Sequence, residues 1–197
     1  PVLNQFSDKH PKEFLKLLSI QDNYGHTPLL DSKIIESLLP VLNQFSDKHP
    51  EKFLQLLSTK DNDGYTPLHS GKTIESLLPV LSQFSDKHPE QFLQLLSTKD
   101  NDGYTPLHYK ETITSLLQVL SQFSDKHPEQ FLQLLSIKYK FGCTPLHDSK
   151  IIESLLQVLN QFSDKHPEKF LQLLSIKDNN GCTPLHDSKI IESLLQV

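Results

Sequence analysis

The sequence predicts an all-α fold, a solenoid of five tandem repeats in which each repeat is a pair of helices. Three observations support this prediction: a strict internal period, apolar residues at helical spacing, and turn residues between the helices. The heptapeptide Gln-Phe-Ser-Asp-Lys-His-Pro recurs every 39 residues, beginning at Gln5, Gln44, Gln83, Gln122 and Gln161. A period without insertion or deletion indicates units that pack on one another in one fixed geometry. We therefore assign one repeat domain over 1–197, with repeats 1–39, 40–78, 79–117, 118–156 and 157–195 and a sixth beginning at 196–197.

Each repeat carries two helical patterns. In the fourth repeat, the first pattern is one broad apolar face made by Ile151, Ile152, Leu155, Leu156, Val158, Leu159 and Phe162. The second pattern, 170–174, is shorter and follows Pro167, whose missing N–H costs nothing in a first helical turn. The spacing predicts a long helix, a corner at Ser-Asp-Lys-His and a short helix.

Tight turns separate the short helix from the next long one. The run Asp178-Asn179-Asn180-Gly181 is typical of such a turn. Thr183 and Pro184 follow it and are expected to be the N-cap and first residue of the next helix. Pro40 and Pro79 fall inside the first helical pattern. Either the long helix bends at these prolines or it is two shorter helices.

Composition excludes several classes of protein. A formal net charge of −5 over 197 residues argues against a nucleic-acid partner, which needs a basic stripe. The sequence has no apolar run long enough to predict a membrane span. Methionine is absent even from position 1, so we expect this chain to be a fragment of a longer protein.

The turns resemble the ankyrin repeat family. The run Asp-Asn-Asp-Gly-Tyr-Thr-Pro-Leu-His at 61–69 is similar to that family's signature, and it recurs at 100–108 and 178–186 and, with changes, at 22–30 and 139–147. The similarity covers nine residues of each repeat, and these repeats are longer than the family's typical length of about 33 residues. The resemblance implies stacked helix pairs whose turns project on one side and bind proteins. Whether β-hairpins form at the turns is left open.

The recurring histidines suggest metal binding, but their spacing argues against it. Equivalent residues of stacked helices lie about 8–10 Å apart, whereas zinc ligands converge at about 2.0–2.1 Å. The family resemblance instead implies that the Thr-Pro-Leu-His histidines are structural hydrogen-bonding groups linking neighbouring turns. The Asp-Asn-Asp-Gly run fails as a calcium loop because its glycine comes too early. We therefore expect no metal and no cofactor.

Catalysis is not expected either. Ser, His and Asp occur together in every repeat, as in Ser46-Asp47-Lys48-His49, but five copies along a rod are better explained as a solvated helix corner. Cys143 and Cys182 occupy equivalent places one repeat apart, which is too far for a disulfide. Free thiols fit a reducing compartment, so we expect a cytoplasmic protein. Because no catalytic constellation is expected, we also expect that the chain is not an enzyme.

Variation among the five repeats suggests where a partner binds. The helical apolar positions hardly change, whereas substitutions collect at the turns and at the start of the following helix. Aromatic residues are common interface anchors, and the candidate protein-binding residues are Tyr65, Tyr104, Tyr109, Lys110, Tyr139, Lys140 and Phe141. Neutral drift at exposed positions is the alternative explanation.

Three functions remain open from the sequence. The leading one is a scaffold for protein–protein interaction. The second is a structural spacer or self-assembling rod, which the near-identity of the repeats favours. The third is the targeting part of an enzyme whose catalytic domain lies outside this fragment. End-to-end self-association is also expected, because apolar residues of the interior pattern recur at both ends: Val2, Leu3 and Phe6, and Leu194, Leu195 and Val197.

Overall fold

The computed structural model describes residues 2–195, so the expectations for Val197 and for a sixth repeat at 196–197 lie outside the described residues. Within them the chain forms eleven α-helices: α1 (Val2–Lys9), α2 (Pro11–Leu18), α3 (Ser32–Lys48), α4 (Pro50–Leu57), α5 (Gly71–Lys87), α6 (Pro89–Ser97), α7 (Lys110–Lys126), α8 (Pro128–Ser136), α9 (Ser149–Lys165), α10 (Pro167–Leu174) and α11 (Ser188–Leu194). A three-residue 3-10 helix precedes each odd-numbered helix from α3 to α11: Pro28–Leu30, Pro67–His69, Pro106–His108, Pro145–His147 and Pro184–His186. The predicted all-α solenoid is confirmed.

Two layers of helices make the stack. Each long helix packs beside the next long helix, from α3 to α5, α7 and α9, and each short helix packs beside the next short one. The core lies between the layers and consists of leucine, isoleucine, valine and phenylalanine side chains. A phenylalanine of each short helix from α2 to α8 meets a phenylalanine of the next long helix: ring centroids are 4.9 Å apart for Phe53 and Phe84 and 5.0 Å apart for Phe92 and Phe123. Neighbouring repeats therefore share one core.

The long helices are continuous through their prolines. α3 contains Pro40 and α5 contains Pro79, yet both are single helices of 17 residues. α7 and α9, which have glutamine at these positions, are also 17 residues long. Of the two alternatives, the broken helix is therefore excluded. The packing of each long helix against neighbours on both sides holds the helical path where proline cannot donate a hydrogen bond.

The predicted corner at Ser-Asp-Lys-His is wrong in its extent. α3 runs through Lys48, and only His49 separates it from α4. Ser46 is buried rather than solvated, and its hydroxyl donates to the Asn43 carbonyl oxygen at 2.9 Å. A hydroxyl satisfied inside its own helix can face the core, so the polar sequence does not end the helix.

The predicted start of the long helix is also displaced. Thr183 and Pro184 begin the 3-10 helix and not the long helix. The long helix α11 starts at Ser188, and Asp187 is its N-cap, with its carboxylate accepting from the Lys189 N–H at 2.9 Å. The side chains that cap α3, α5, α9 and α11 therefore lie one 3-10 turn later in the sequence than Thr-Pro suggests.

The turns reverse the chain without forming strands. We number them first to fifth, at residues 21–26, 60–65, 99–104, 138–143 and 177–182. In the second turn the Asp61 N–H donates to the Tyr65 carbonyl oxygen at 2.9 Å, and Gly64 adopts a left-handed φ of 84° that other residues rarely tolerate. No β-strand occurs in the described part of the chain, so the hairpin possibility is not realised there.

Among the helices of the described chain, none combines the length and apolar character that a membrane crossing requires.

The two interior prolines generate a prediction on stability. We expect Pro79→Gln to raise the free energy of unfolding by about 1–3 kcal/mol, because it restores a helical hydrogen bond at a position where α7 and α9 carry glutamine. Urea unfolding measures the change. Gln118→Pro is the matched reverse variant and should cost about 3 kcal/mol. Destabilisation by Pro79→Gln would show that the helices depend on the prolines.

Candidate interaction surface

Aspartates organise four of the five turns. In the second turn the Asp61 carboxylate accepts from the N–H groups of Asp63 and Tyr65, at 3.0 and 2.8 Å. The first, third and fifth turns repeat this arrangement through Asp22, Asp100 and Asp178. Hydrogen bonds from backbone N–H groups favour the ionised carboxylate, and those of Cys182 and Asn180 lower the pKa of Asp178.

Asparagines connect successive turns. The Asn62 N–H donates to the Tyr24 carbonyl oxygen at 3.2 Å, and its side-chain amide donates to the Asn23 carbonyl oxygen at 3.3 Å. Asn101 and Asn179 contact the preceding turn in the same way. The fourth turn has Lys140 in this position, and its amino group instead reaches the Asp102 carboxylate at 2.6 Å. A flexible ion pair thus replaces a fixed backbone link.

The Thr-Pro-Leu-His histidines are structural, as the resemblance implied. In the second repeat the Thr66 N–H donates to His69 Nδ1 at 3.1 Å, so Nε2 carries the proton of the neutral ring. That Nε2–H then donates to the Tyr104 carbonyl oxygen of the next turn at 3.4 Å, and His147 reaches Cys182 likewise at 3.2 Å. His108 departs: its buried Nε2 has no hydrogen-bond partner within the described residues. The junction between the third and fourth turns is therefore the looser one.

The candidate aromatic residues form one continuous set, which we call the aromatic strip: Tyr65, Tyr109, Tyr104, Tyr139 and Phe141. Ring centroids are 6.1 Å apart for Tyr65 and Tyr109, and 5.9 Å apart for Tyr109 and Tyr104. Tyr104 and Tyr139 are stacked at 4.4 Å, and Phe141 meets Tyr139 edge-on at 5.5 Å. The strip crosses the second, third and fourth turns.

Exposure differs along the strip. Phe141 is 56% exposed and Tyr65 is 37% exposed, whereas Tyr104, Tyr109 and Tyr139 are half-buried. The Tyr109 hydroxyl donates to the Asp100 carboxylate at 2.5 Å, and burial together with this bond raises the tyrosine pKa. Tyr109 therefore contributes to the packing of the third repeat as well as to the surface.

Three residues of the candidate surface replace residues that have structural roles elsewhere in the stack. Tyr109 occupies the N-cap of α7, where Asp148 caps α9, and Tyr109 makes no capping hydrogen bond. Tyr139 occupies the position of the turn aspartate and has no carboxylate to accept from the backbone. Lys140 occupies the position of the linking asparagine. Tyr109, Tyr139 and Lys140 thus take the place of residues that form structural hydrogen bonds in other repeats.

Lys110 and Lys140, the two lysines among the candidate residues, are exposed. Lys140 lies 5.5 Å from the centroid of the Phe141 ring, and its hydrogen bond to Asp102 raises its pKa. Lys138 was missed by sequence reasoning, although it directly precedes Tyr139. Its amino group donates to the Lys177 carbonyl oxygen at 2.7 Å. The sequence feature that could have identified Lys138 is that the fourth turn has no acidic residue to balance its charge.

A cleft opens beside the strip. Its volume is about 300 Å³, and Tyr104, Tyr139, Cys143 and His147 are among its lining residues. This size is at the lower end for ligand sites and suits a single inserted side chain. Both cysteines are free thiols, as expected. Across residues 2–195, no three His, Cys, Asp or Glu side chains converge as metal ligands would.

Comparison with known proteins finds a likeness in structure. No family model matches the sequence, and no curated protein matches it. Among solved structures, the ankyrin repeat domain of Bcl-3, described as a unique member of the IkappaB protein family, is similar over 98% of this chain and 97% of its own length, with 18% identity and a TM-score of 0.29. Within residues 2–195 the fold consists of stacked helix pairs joined by turns, as the resemblance implied.

The buried histidines generate a prediction on pH. Burial lowers the pKa of His108 from 6.5 to about 4, and it lowers the pKa of His69 as well. Below pH 6.5 the unfolded chain binds protons at these rings that the folded chain does not, so stability falls as pH drops from about 6.5 to about 4. Urea unfolding at a series of pH values should show this slope. A chain with His69→Gln and His108→Gln should have a shallower slope, and an unchanged slope would exclude these two rings as its source.

Proposed function

We propose that this chain is a protein-interaction scaffold that binds a partner protein through its turns and the starts of its long helices. The contact is centred on the aromatic strip together with Lys110 and Lys140. What supports this function is the replacement of structural residues in the third and fourth repeats. Losing an N-cap costs about 0.5–2 kcal/mol, and each lost hydrogen bond costs about 0.5–1.5 kcal/mol.

Aromatic rings suit the proposed role. Tyrosine contributes a large contact area with few rotatable bonds, which makes it a common anchor of interfaces. The strip is already ordered by its own ring contacts, so little conformational entropy is lost when a partner covers it. The cleft beside Tyr104 and Tyr139 could accept a side chain of that partner. No catalytic role is proposed for this chain.

A second candidate function is a self-assembling rod, and the two end faces favour it. Leu185 is 44% exposed, whereas its equivalents Leu29, Leu68, Leu107 and Leu146 are fully buried. At the other end Leu17 is 43% exposed, and its equivalents Leu56, Leu95, Leu134 and Leu173 are buried. The two faces are the two sides of an internal junction, so the fifth repeat of one copy has the shape to pack on the first repeat of another.

Capture of partners tests the scaffold function. Tyr65→His, Tyr104→His and Phe141→Asn together replace three strip residues with those of equivalent positions, His26 and Asn180. We expect this variant to fold and to capture at least about tenfold less partner protein than the unmodified chain does. The reason is that it lacks ring contacts worth more than about 1.4 kcal/mol of binding free energy. Quantitative mass spectrometry of the captured proteins measures the loss.

The control changes the opposite edge of the stack. Asp47→Ser and Asp86→Ser remove two exposed ion pairs with Lys87 and Lys126 and should leave capture unchanged. If both variants retain the same proteins as the unmodified chain, the strip is not the binding surface.

Sedimentation tests the rod. We expect the unmodified chain to form larger species as its concentration rises, because end-to-end contacts bury the apolar faces. Leu17→Glu with Ile191→Glu places like charges on the two faces that would meet and should keep the chain monomeric. A monomer at all concentrations, for both proteins, would contradict the self-assembling rod and leave the scaffold function untouched.

A further inference from the structure

The fourth turn differs from the other four in charge. Lys138 and Lys140 are its only charged residues, so residues 138–143 carry +2. The second and third turns each have one lysine and two aspartates, a balance of −1. The first turn has one aspartate and balances at −1 with neutral histidine, and the fifth has one lysine and one aspartate and balances at zero. A single basic turn therefore lies within an otherwise neutral or acidic row.

The basic charges surround an exposed aromatic ring. Phe141 is at the tip of the fourth turn and is its most exposed apolar side chain. Lys140 lies beside that ring, and Tyr139 supports it edge-on from the base of the turn. The tip thus offers one apolar contact flanked by amino groups.

Both lysines can accept a new anionic partner. The ion pair between Lys140 and Asp102 is exposed, with 52% and 63% of the two side chains accessible, and such pairs contribute little to stability. Lys138 uses one N–H to reach Lys177, and an ammonium group has three. Incoming carboxylates would therefore displace nothing that the fold depends on.

The fourth turn also stands further from its predecessor than other turns do. A Cβ placed on Gly64 would lie 2.6 Å from the Asn101 nitrogen, and one on Gly142 would lie 2.7 Å from the Asn179 nitrogen. A Cβ on Gly103 would lie 3.4 Å from the Lys140 nitrogen. With lysine in place of the linking asparagine, the preceding turn does not cover this tip as closely.

We propose that the fourth turn docks an acidic peptide segment of the partner that carries an apolar residue. Carboxylates of that segment pair with Lys138 and Lys140, and its apolar side chain packs on Phe141. This inference rests on the proposed scaffold function and names the chemistry of the partner. A nucleic acid is disfavoured for two reasons. Its continuous phosphate charge would extend over the acidic turns on one side of the fourth turn, and the whole chain has a net charge of −5.

Fluorescence anisotropy with defined peptides tests this proposal. The labelled probe Glu-Glu-Leu-Glu-Glu should bind at least about tenfold more tightly than Ser-Ser-Leu-Ser-Ser or Lys-Lys-Leu-Lys-Lys, and its binding should weaken as salt screens the charges. Glu-Glu-Ser-Glu-Glu, which lacks the apolar residue, should also bind more weakly. Equal affinity for acidic, neutral and basic probes would overturn the proposal, as would tighter binding of a ten-nucleotide thymidine oligonucleotide.

The chain supplies its own matched variant. A triple variant with Tyr139→Asp, Lys140→Asn and Phe141→Asp copies the third-turn sequence Asp100-Asn101-Asp102 into the fourth turn. Its affinity for the acidic probe should be at least about tenfold lower than that of the unmodified chain. Asn180→Asp adds one negative charge to the fifth turn and should change the affinity less than twofold. Retention of the probe by the triple variant would overturn the proposal. If no variant loses the probe while partner capture still requires the aromatic strip, this inference is refuted and the scaffold function stands.

Discussion

The structure depends on the phenylalanine pair at each junction between repeats. A ring from a short helix packs against a ring from the next long helix at 4.9–5.0 Å, in the pairs Phe14–Phe45, Phe53–Phe84, Phe92–Phe123 and Phe131–Phe162. Truncating a buried phenylalanine typically costs about 3–5 kcal/mol, whereas an exposed pair such as Lys87 with Asp47 contributes little to stability. The buried rings, and not the lysine–aspartate pairs along the edge, determine how the repeats stack.

Because these pairs fix the register, equivalent side chains of successive turns face one another. A row of asparagines or a row of aromatic rings can then form without any change to the core. The third and fourth repeats use this freedom: Tyr109 replaces a cap, Tyr139 replaces a turn aspartate, and Lys140 replaces a linking asparagine. The loss of hydrogen bonds is tolerated because the buried core beneath these turns is unchanged. The core thus provides the stability, which leaves the turns free to vary for the proposed recognition.

Much of the fold could be predicted from sequence, because a repeated pattern states its helices five times. The period, the two helices of each repeat and the free thiols Cys143 and Cys182 followed from spacing. The corner could not be placed correctly, because Ser46 is polar by type but satisfied within its helix. The prolines were ambiguous, because packing on both sides of a helix is not visible in a local pattern.

The candidate surface was predicted residue by residue but not as a connected strip. Tyr65 and Tyr109 are far apart in the sequence, and their contact depends on how one repeat is rotated on the next. The half-burial of Tyr109 against Asp100 could not be anticipated for the same reason. Lys138 was overlooked because three other turns also begin with a lysine. In each of those turns an aspartate follows the lysine.

The central claim is that the fourth turn gives up stability for recognition, and the free energy of unfolding of one double variant tests it most directly. Tyr139→Asp with Lys140→Asn restores the turn aspartate and the linking asparagine. Regained hydrogen bonds at about 1 kcal/mol each should outweigh the two lost ring contacts of Tyr139, with Tyr104 and Phe141, at about 0.5–1.5 kcal/mol each. Urea unfolding should therefore show a chain more stable than the unmodified one by about 1 kcal/mol. A less stable chain would contradict the account, because the aromatic residues of this turn would then serve the fold.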